Sequence, residues 1–386
     1  MPQQPKTPPK PVRPEQVVWE FPESHPAAAA LMAMRNAPAV DPAGRIYLHA
    51  GDRLVALTVA DDRPTVAWEY VTGCRVPGPV VVGLDGNIRL HASDGCLHCL
   101  SDGGRQAWPP VHVGEPLGYA APAVDARGNT WVSAFEGGLH RIDVEGRLHK
   151  PAPFFRSRQK LNAGGLIHDG VLYIGSEDGY VFAVQLDGER GENRWNHAGG
   201  HGETGWYVHS TPAMSAEGML VVAGRDENLY GFRLDGTPGW RTQMPGQLLG
   251  SPVLDRFGHI YVGVSQSQRG HPPRGLLVCV DGNSHKVRWE YKAAGHVEST
   301  AVIGDDDVLY FGDNAGVVHA VDFRGAAQWT VALDSPVRSA GTILAPQRLA
   351  FGLDSETLVV LKCSSQGLAA EGWPKIGRTL GQSGMA

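Results

Sequence analysis

A tryptophan closes each copy of a repeated unit in this chain, and that repeat limits the fold more than any other feature. The clearest copy, residues 299–329, reads STAVIGDDDVLYFGDNAGVVHAVDFRGAAQW. Further copies run over 210–240, 250–289, 164–195 and 78–108, and weaker ones start near Ala37, Ala121 and Ala340. Tryptophan stands at 19, 68, 108, 195, 240, 289, 329 and 373 with one beat missing near residue 150, a mean step of about 44 residues. Each unit reads as four short strands: a brief apolar run, an aliphatic and aromatic segment, an alternating segment and the tryptophan segment. Asp94-Gly95 and Asp178-Gly179 lie between the second and third, where a tight hairpin needs residues that accept positive φ. Four-stranded meanders at this period predict an all-β, eight-bladed β-propeller of four-stranded antiparallel blades over residues 17–375.

The motif Ala-Val-Asp-x-x-Gly-x-x-x-Trp, seen at Ala320, Val321, Asp322, Gly325 and Trp329, resembles the PQQ-like, or quinoprotein-type, propeller repeat. The resemblance spans about residues 17–375. It implies that each tryptophan packs between blades. For function it is broad, since such repeats serve quinone-dependent dehydrogenases, outer-membrane assembly lipoproteins and soluble scaffolds alike. The dehydrogenases tend to be longer and carry adjacent cysteines, which this chain lacks. Ring closure has two candidates, because Trp19 and Trp373 both compete to sit on the outer strand of the last blade.

Composition narrows the classes further. Gly and Pro number 50 and 28 of 386 residues, too many for long helices. No apolar run is long enough to span a bilayer as a helix, and a net charge of −6 argues against nucleic-acid binding. Residues 1–16 form a Pro-rich leader expected to be disordered, and 376–386 a C-terminal tail. The first apolar run, 27–34, comes late and is short for a signal peptide, so the chain reads as cytoplasmic.

Chemistry-bearing residues mostly fall on repeat positions. Cys96 and Cys99 make a CxxC, but Cys99 occupies the small-residue slot nine places before Trp108, as Ala320 does before Trp329. Residues three apart on a strand face opposite ways, so the pair is structural. Cys279 fills the same slot. His98, His140 and His319 share one third-strand position and read as packing residues between blades. Asp305, Asp306 and Asp307 read as a solvated turn, and His197 with His201 sits in a setting too Gly-rich for a helical metal site. No metal, cofactor or catalytic signature is expected.

Binding residues are expected on one face, called the top, which carries the fourth-to-first links and the second-to-third turns. Three long segments, 149–160, 196–209 and 264–275, are read as lying there, the first two as links and the third as a turn. They are basic against an acidic chain, and they offer Phe154, Phe155, Arg156, Arg158, Lys160, Trp206, Tyr207, Arg269, His271 and Arg274 as a partner surface. The positions just before each first strand should ring the mouth of the central channel. Among them Arg35, Tyr119, His209, Glu298 and Arg338 are read as holding a small anionic ligand. The leading expectation is a non-catalytic scaffold or sensor binding a protein or anionic ligand on this face. The alternatives are a lyase, hydrolase or cyclase with its site in the funnel and, less favoured, an outer-membrane assembly factor.

Overall fold

The computed structural model describes residues 15–21, 36–267, 274–355 and 357–377. Eight antiparallel sheets follow one another in chain order as the blades of a propeller. Among the described residues the one helical segment is a 3₁₀ turn, His197–Gly199. Blade 1 comprises Ala39–Val40, Ile46–Ala50, Arg53–Ala60 and Arg63–Val71, running from the axis outwards, and blades 2 to 7 repeat the order. Blade 4 has three strands, its outer position reduced to isolated bridges at Tyr180–Glu203 and Val184–Asn193. Blade 6 gains a short pairing between Gln247–Leu248 and its second strand.

The tryptophan register explains why the unit repeats. Cys99, Gly231, Cys279 and Ala320 on third strands lie directly opposite Trp108, Trp240, Trp289 and Trp329. The indole folds over that partner, and a Cβ on Gly231 would stand 2.2 Å from the Trp240 ring. Three of the repeat tryptophans also bridge to the following blade. The indole N–H of Trp68 donates to the Asp102 carbonyl at 2.8 Å, that of Trp195 to Leu234 at 3.0 Å and that of Trp289 to Phe323 at 3.0 Å. The turn passes under the ring at Gly104, Gly236 and Gly325, all at positive φ and too close to the indole for a side chain. Tryptophan is thus both the end of one sheet and the seat of the next.

The strand Val17–Phe21 closes the ring. It pairs antiparallel with Leu358–Lys362 and forms the outer strand of blade 8 with Trp19 buried, so both ends of the chain share the last blade. Trp373 takes another place. Its amide donates to the Leu254 carbonyl at 2.8 Å, and the Leu254 amide returns a bond at 2.9 Å, on the inner edge of blade 6. Around it, residues 363–377 cross the bottom of the channel. Ala369 donates to Ile303 at 3.0 Å, Ile303 to Pro374 at 2.9 Å, and Lys375, 0% exposed, reaches Thr342 Oγ1 on the inner strand of blade 8.

The acidic turn expected to be solvated holds this segment instead. Asp305 Oδ1 accepts the Gln366 amide at 2.8 Å and the Ser365 hydroxyl at 2.9 Å, while Asp306 Oδ2 takes Ser364 at 2.6 Å and Tyr310 at 2.7 Å. The third-strand histidines lie buried between blades as the repeat implies: His98 is 3.0 Å from the Tyr70 hydroxyl and His319 is 3.1 Å from that of Tyr291.

Two of the long segments are not links. In blade 3, His149 donates to Arg141 at 2.9 Å, Phe154 to Leu139 at 2.7 Å and Ser157 to Gly137 at 3.0 Å, so residues 148–157 form the outer edge and 150–153 bulge from it. Pro151 and Pro153 have no N–H to give the ladder, which forces the bulge. In blade 4, Arg194 donates to Ala183 and Thr204 to Gly179, each at 2.8 Å, with Gly-rich 196–201 displaced between them. Both bulges lean on the bottom-side turn of the next blade, through His149 to the Glu189 carbonyl and His201 to that of Asp235, each at 3.0 Å. Only 157–160 and 204–209 reach the top.

Candidate binding site at the mouth of the central channel

The inner strands of a propeller start at the top rim, so the residues just before them face a common funnel. Here that funnel holds a cavity of about 750 Å³ lined by Asn36, His49, Arg75, Tyr119, Phe135, Lys160, Asn162, Glu177 and His209. A deeper space of about 170 Å³ shares Asn36, Tyr119, Asn162 and His209 with it. Ile376 and Gly377 form part of that lower wall, so the two spaces make one pocket, entered from the top and stopped from below by residues 363–377.

Positive charge at the mouth is held in place without being neutralised. Arg75 is exposed and has no ion pair among the described residues; Lys160 stands 4.0 Å from the centroid of the Phe135 ring. Glu177 is already engaged, taking Asn162 Nδ2 at 2.6 Å and facing His209 Nε2 at 3.2 Å. Burial, with His91 and Arg75 nearby, pushes the His49 imidazolium down to about 4, so His49 is neutral at pH 7. Burial also lowers His209, opposed by Glu177. Two free cations in a walled space suit a carboxylate or phosphate, which they would hold by charge-assisted hydrogen bonds.

The expected ring residues divide. His209 and Tyr119, the latter 55% exposed, do face the pocket. Arg35 lies outside the described residues. Arg338 and Glu298 line the deeper space on its far side, but Arg338 is tied to Asp354 and lies 3.6 Å from Glu298, which also takes Asn314 Nδ2 at 2.6 Å. With two acids beside it, Arg338 has no charge to spare for an anion.

The expected partner surface also shrinks. Phe154 is not exposed: it is 4% accessible and packs edge-on against Trp131 at 4.9 Å. Phe155 is half-buried against Phe182 at 5.2 Å, and Arg156 is paired with Glu115. Arg269 and His271 lie outside the described residues. Arg274 lines a separate depression beside His296. Arg158, Lys160, Trp206 and Tyr207 remain on the top, with Lys160 lining the funnel. Trp206, 44% exposed, lies 5.1 Å from Tyr207, which stacks on His209 at 5.9 Å; Arg225 covers the Trp206 ring at 5.5 Å. This row of rings leads from the rim into the pocket.

Arg75, His49, Asn162 and Glu177 escaped the sequence pattern. The positions just before the first strands of blades 2 and 4, three before the first-strand proline or its equivalent, are Val76 and Leu161, which are buried, while their neighbours Arg75 and Asn162 turn into the funnel. Reading one residue to either side would have found both. His49 lies near the end of the second strand of blade 1 and Glu177 sits in the second-to-third turn of blade 4, both on the top, without the repeat saying that they reach the axis.

Comparisons with known proteins agree with this geometry at the level of fold. A PQQ-repeat family model described as outer membrane protein assembly factor BamB matches residues 233–371. No curated protein matches the chain. Among solved structures, BamB from Moraxella catarrhalis superposes with a TM-score of 0.64 at 15% identity, covering 86% of this chain and 98% of that one. Sqt1 from Saccharomyces cerevisiae gives 0.70 at 14% identity, covering 87% and 97%. A europium-containing methanol dehydrogenase gives 0.66 at 14% identity, covering 90% and 93%. The chain is an eight-bladed β-propeller. The match over residues 233–371 marks the repeats of its later blades as PQQ-like.

Proposed function

We propose that this propeller is a non-catalytic binding module that takes an acidic segment of a protein partner, or a similar anionic ligand, in the mouth of its channel. The observation that carries this reading is the pair Arg75 and Lys160, cations with no ion pair among the described residues in a pocket of about 750 Å³. The adjoining Trp206–Tyr207 row adds the aromatic surface that protein partners favour. A binding role is also in keeping with the resemblance to an assembly-factor repeat.

Fluorescein-labelled hexaglutamate is the probe. It binds saturably to the full chain, and R75A/K160A weakens it about a hundredfold or more, since hydrogen bonds to charged groups contribute about 1.5–3 kcal/mol each. Unsaturable binding, or equal affinity in the double variant, refutes the proposal. A second reading, an outer-membrane assembly factor, is favoured by the match over residues 233–371. Fractionation of the tagged protein separates the two, because that role needs the chain outside the cytoplasm.

A further inference from the structure

The CxxC of blade 2 does not act as a pair, for Cys99 is buried opposite Trp108 while Cys96 is half-buried at the top of the strand. A second half-buried cysteine, Cys74, lies on the link between blades 1 and 2. The Ser93 amide donates to the Arg75 carbonyl at 2.8 Å, which lays this link along the top turn of blade 2. Asp94 lies beside both thiols: its charge pushes the Cys74 thiol up, burial and that charge push Cys96 up, and its Oδ1 takes the Cys96 amide at 3.0 Å.

The next blade shows where side chains at these positions point. There the Phe135 amide donates to the Pro116 carbonyl at 2.8 Å, so Glu115 stands in the place of Cys74 and Gly138 in that of Cys96. A Cβ on Gly138 would lie 2.9 Å from both carboxylate oxygens of Glu115. The two positions therefore aim at each other, and in blade 2 both hold a half-exposed thiol.

The geometry points to Cys74 and Cys96 as a redox pair that closes to a disulfide under a hydroperoxide, fixing the link that carries Arg75 at the channel mouth. One sulfur attacks the peroxide, the O–O bond breaks and an alcohol or water leaves, giving a sulfenic acid. The second sulfur displaces its hydroxyl as water, so two thiols lose two electrons and two protons to the peroxide. A thiol reductant reverses the step. Asp94, by favouring the protonated thiols, slows the first attack, since the thiolate is the nucleophile.

The full chain treated with hydrogen peroxide, alkylated and mapped without reduction tests this. A peptide linking Cys74 to Cys96 appears, two of the five thiols are lost, and dithiothreitol restores them. Cys74→Ser and Cys96→Ser, folded by circular dichroism, give no such peptide. In the oxidised protein, hydrogen exchange at residues 73–76 slows severalfold. Five alkylatable thiols after oxidation, oxygen adducts on single cysteines, or a crosslink that leaves exchange unchanged would each overturn the inference.

Discussion

Gly231 shows how little room the tryptophan repeat leaves at a single residue. With the Trp240 indole 2.2 Å from where a Cβ would stand, Gly231→Val pushes the ring off its strand. Overpacking of this kind costs about 1–3 kcal/mol, read as a lower urea midpoint at unchanged slope. His91 makes a second test. It is buried, its Nε2 lies 2.7 Å from the Gly118 carbonyl, and burial pushes its imidazolium down to about 4. An unfolded histidine takes a proton near 6.5 while the folded one resists, so the unfolded state binds more protons between these values. Stability therefore falls as pH drops from about 6.5 towards 4. His91→Gln should flatten that fall, and urea midpoints at pH 6.5 and 4.5 measure it. A loss as steep as that of the parent would remove His91 as a cause.

Elements differ in how plainly the sequence declares them. The inner and third strands are legible because Asp-Gly turns and the small residue facing each tryptophan recur at fixed spacing. Outer strands are less so, since those of blades 3 and 4 are interrupted by Pro151, Pro153 and a Gly-rich stretch that read as loops. Nor does periodicity tell Trp19 from Trp373; hydrogen bonding between distant chain segments does, through Leu358–Lys362 and Leu254. The crossing segment 363–377 carries a tryptophan in step with the repeat, Trp373, but none of the strand pattern around it. Its Lys375 is buried with no ion pair among the described residues, and burial brings the ammonium down to about 7. Between that value and about 10.5, where a free lysine titrates, the folded chain binds fewer protons than the unfolded one. Stability contributed by the segment therefore rises with pH across this window. Lys375→Met removes the rise and strengthens the segment at pH 7, which hydrogen exchange over 363–377 at pH 7 and 9 records. Equal pH dependence in parent and variant would place the cause elsewhere.

At the scale of the whole molecule, the propeller is one-sided. Its top opens into a pocket with free positive charge, and its bottom is crossed by the chain's own residues 363–377. A ligand reaching the deeper space must therefore pass the mouth, beside the Trp206 row. Binding of hexaglutamate should perturb the fluorescence of Trp206, and the difference between the parent and Trp206→Phe isolates that signal from the other tryptophans. Phe257, 58% exposed on a bottom turn, provides the opposite side. Phe257→Glu adds an acid on that opposite side, away from the mouth, so affinity at physiological salt should stay within about twofold. A Trp206 signal that is absent while the peptide binds, or an affinity that follows the charge at 257, would move the site to the other face.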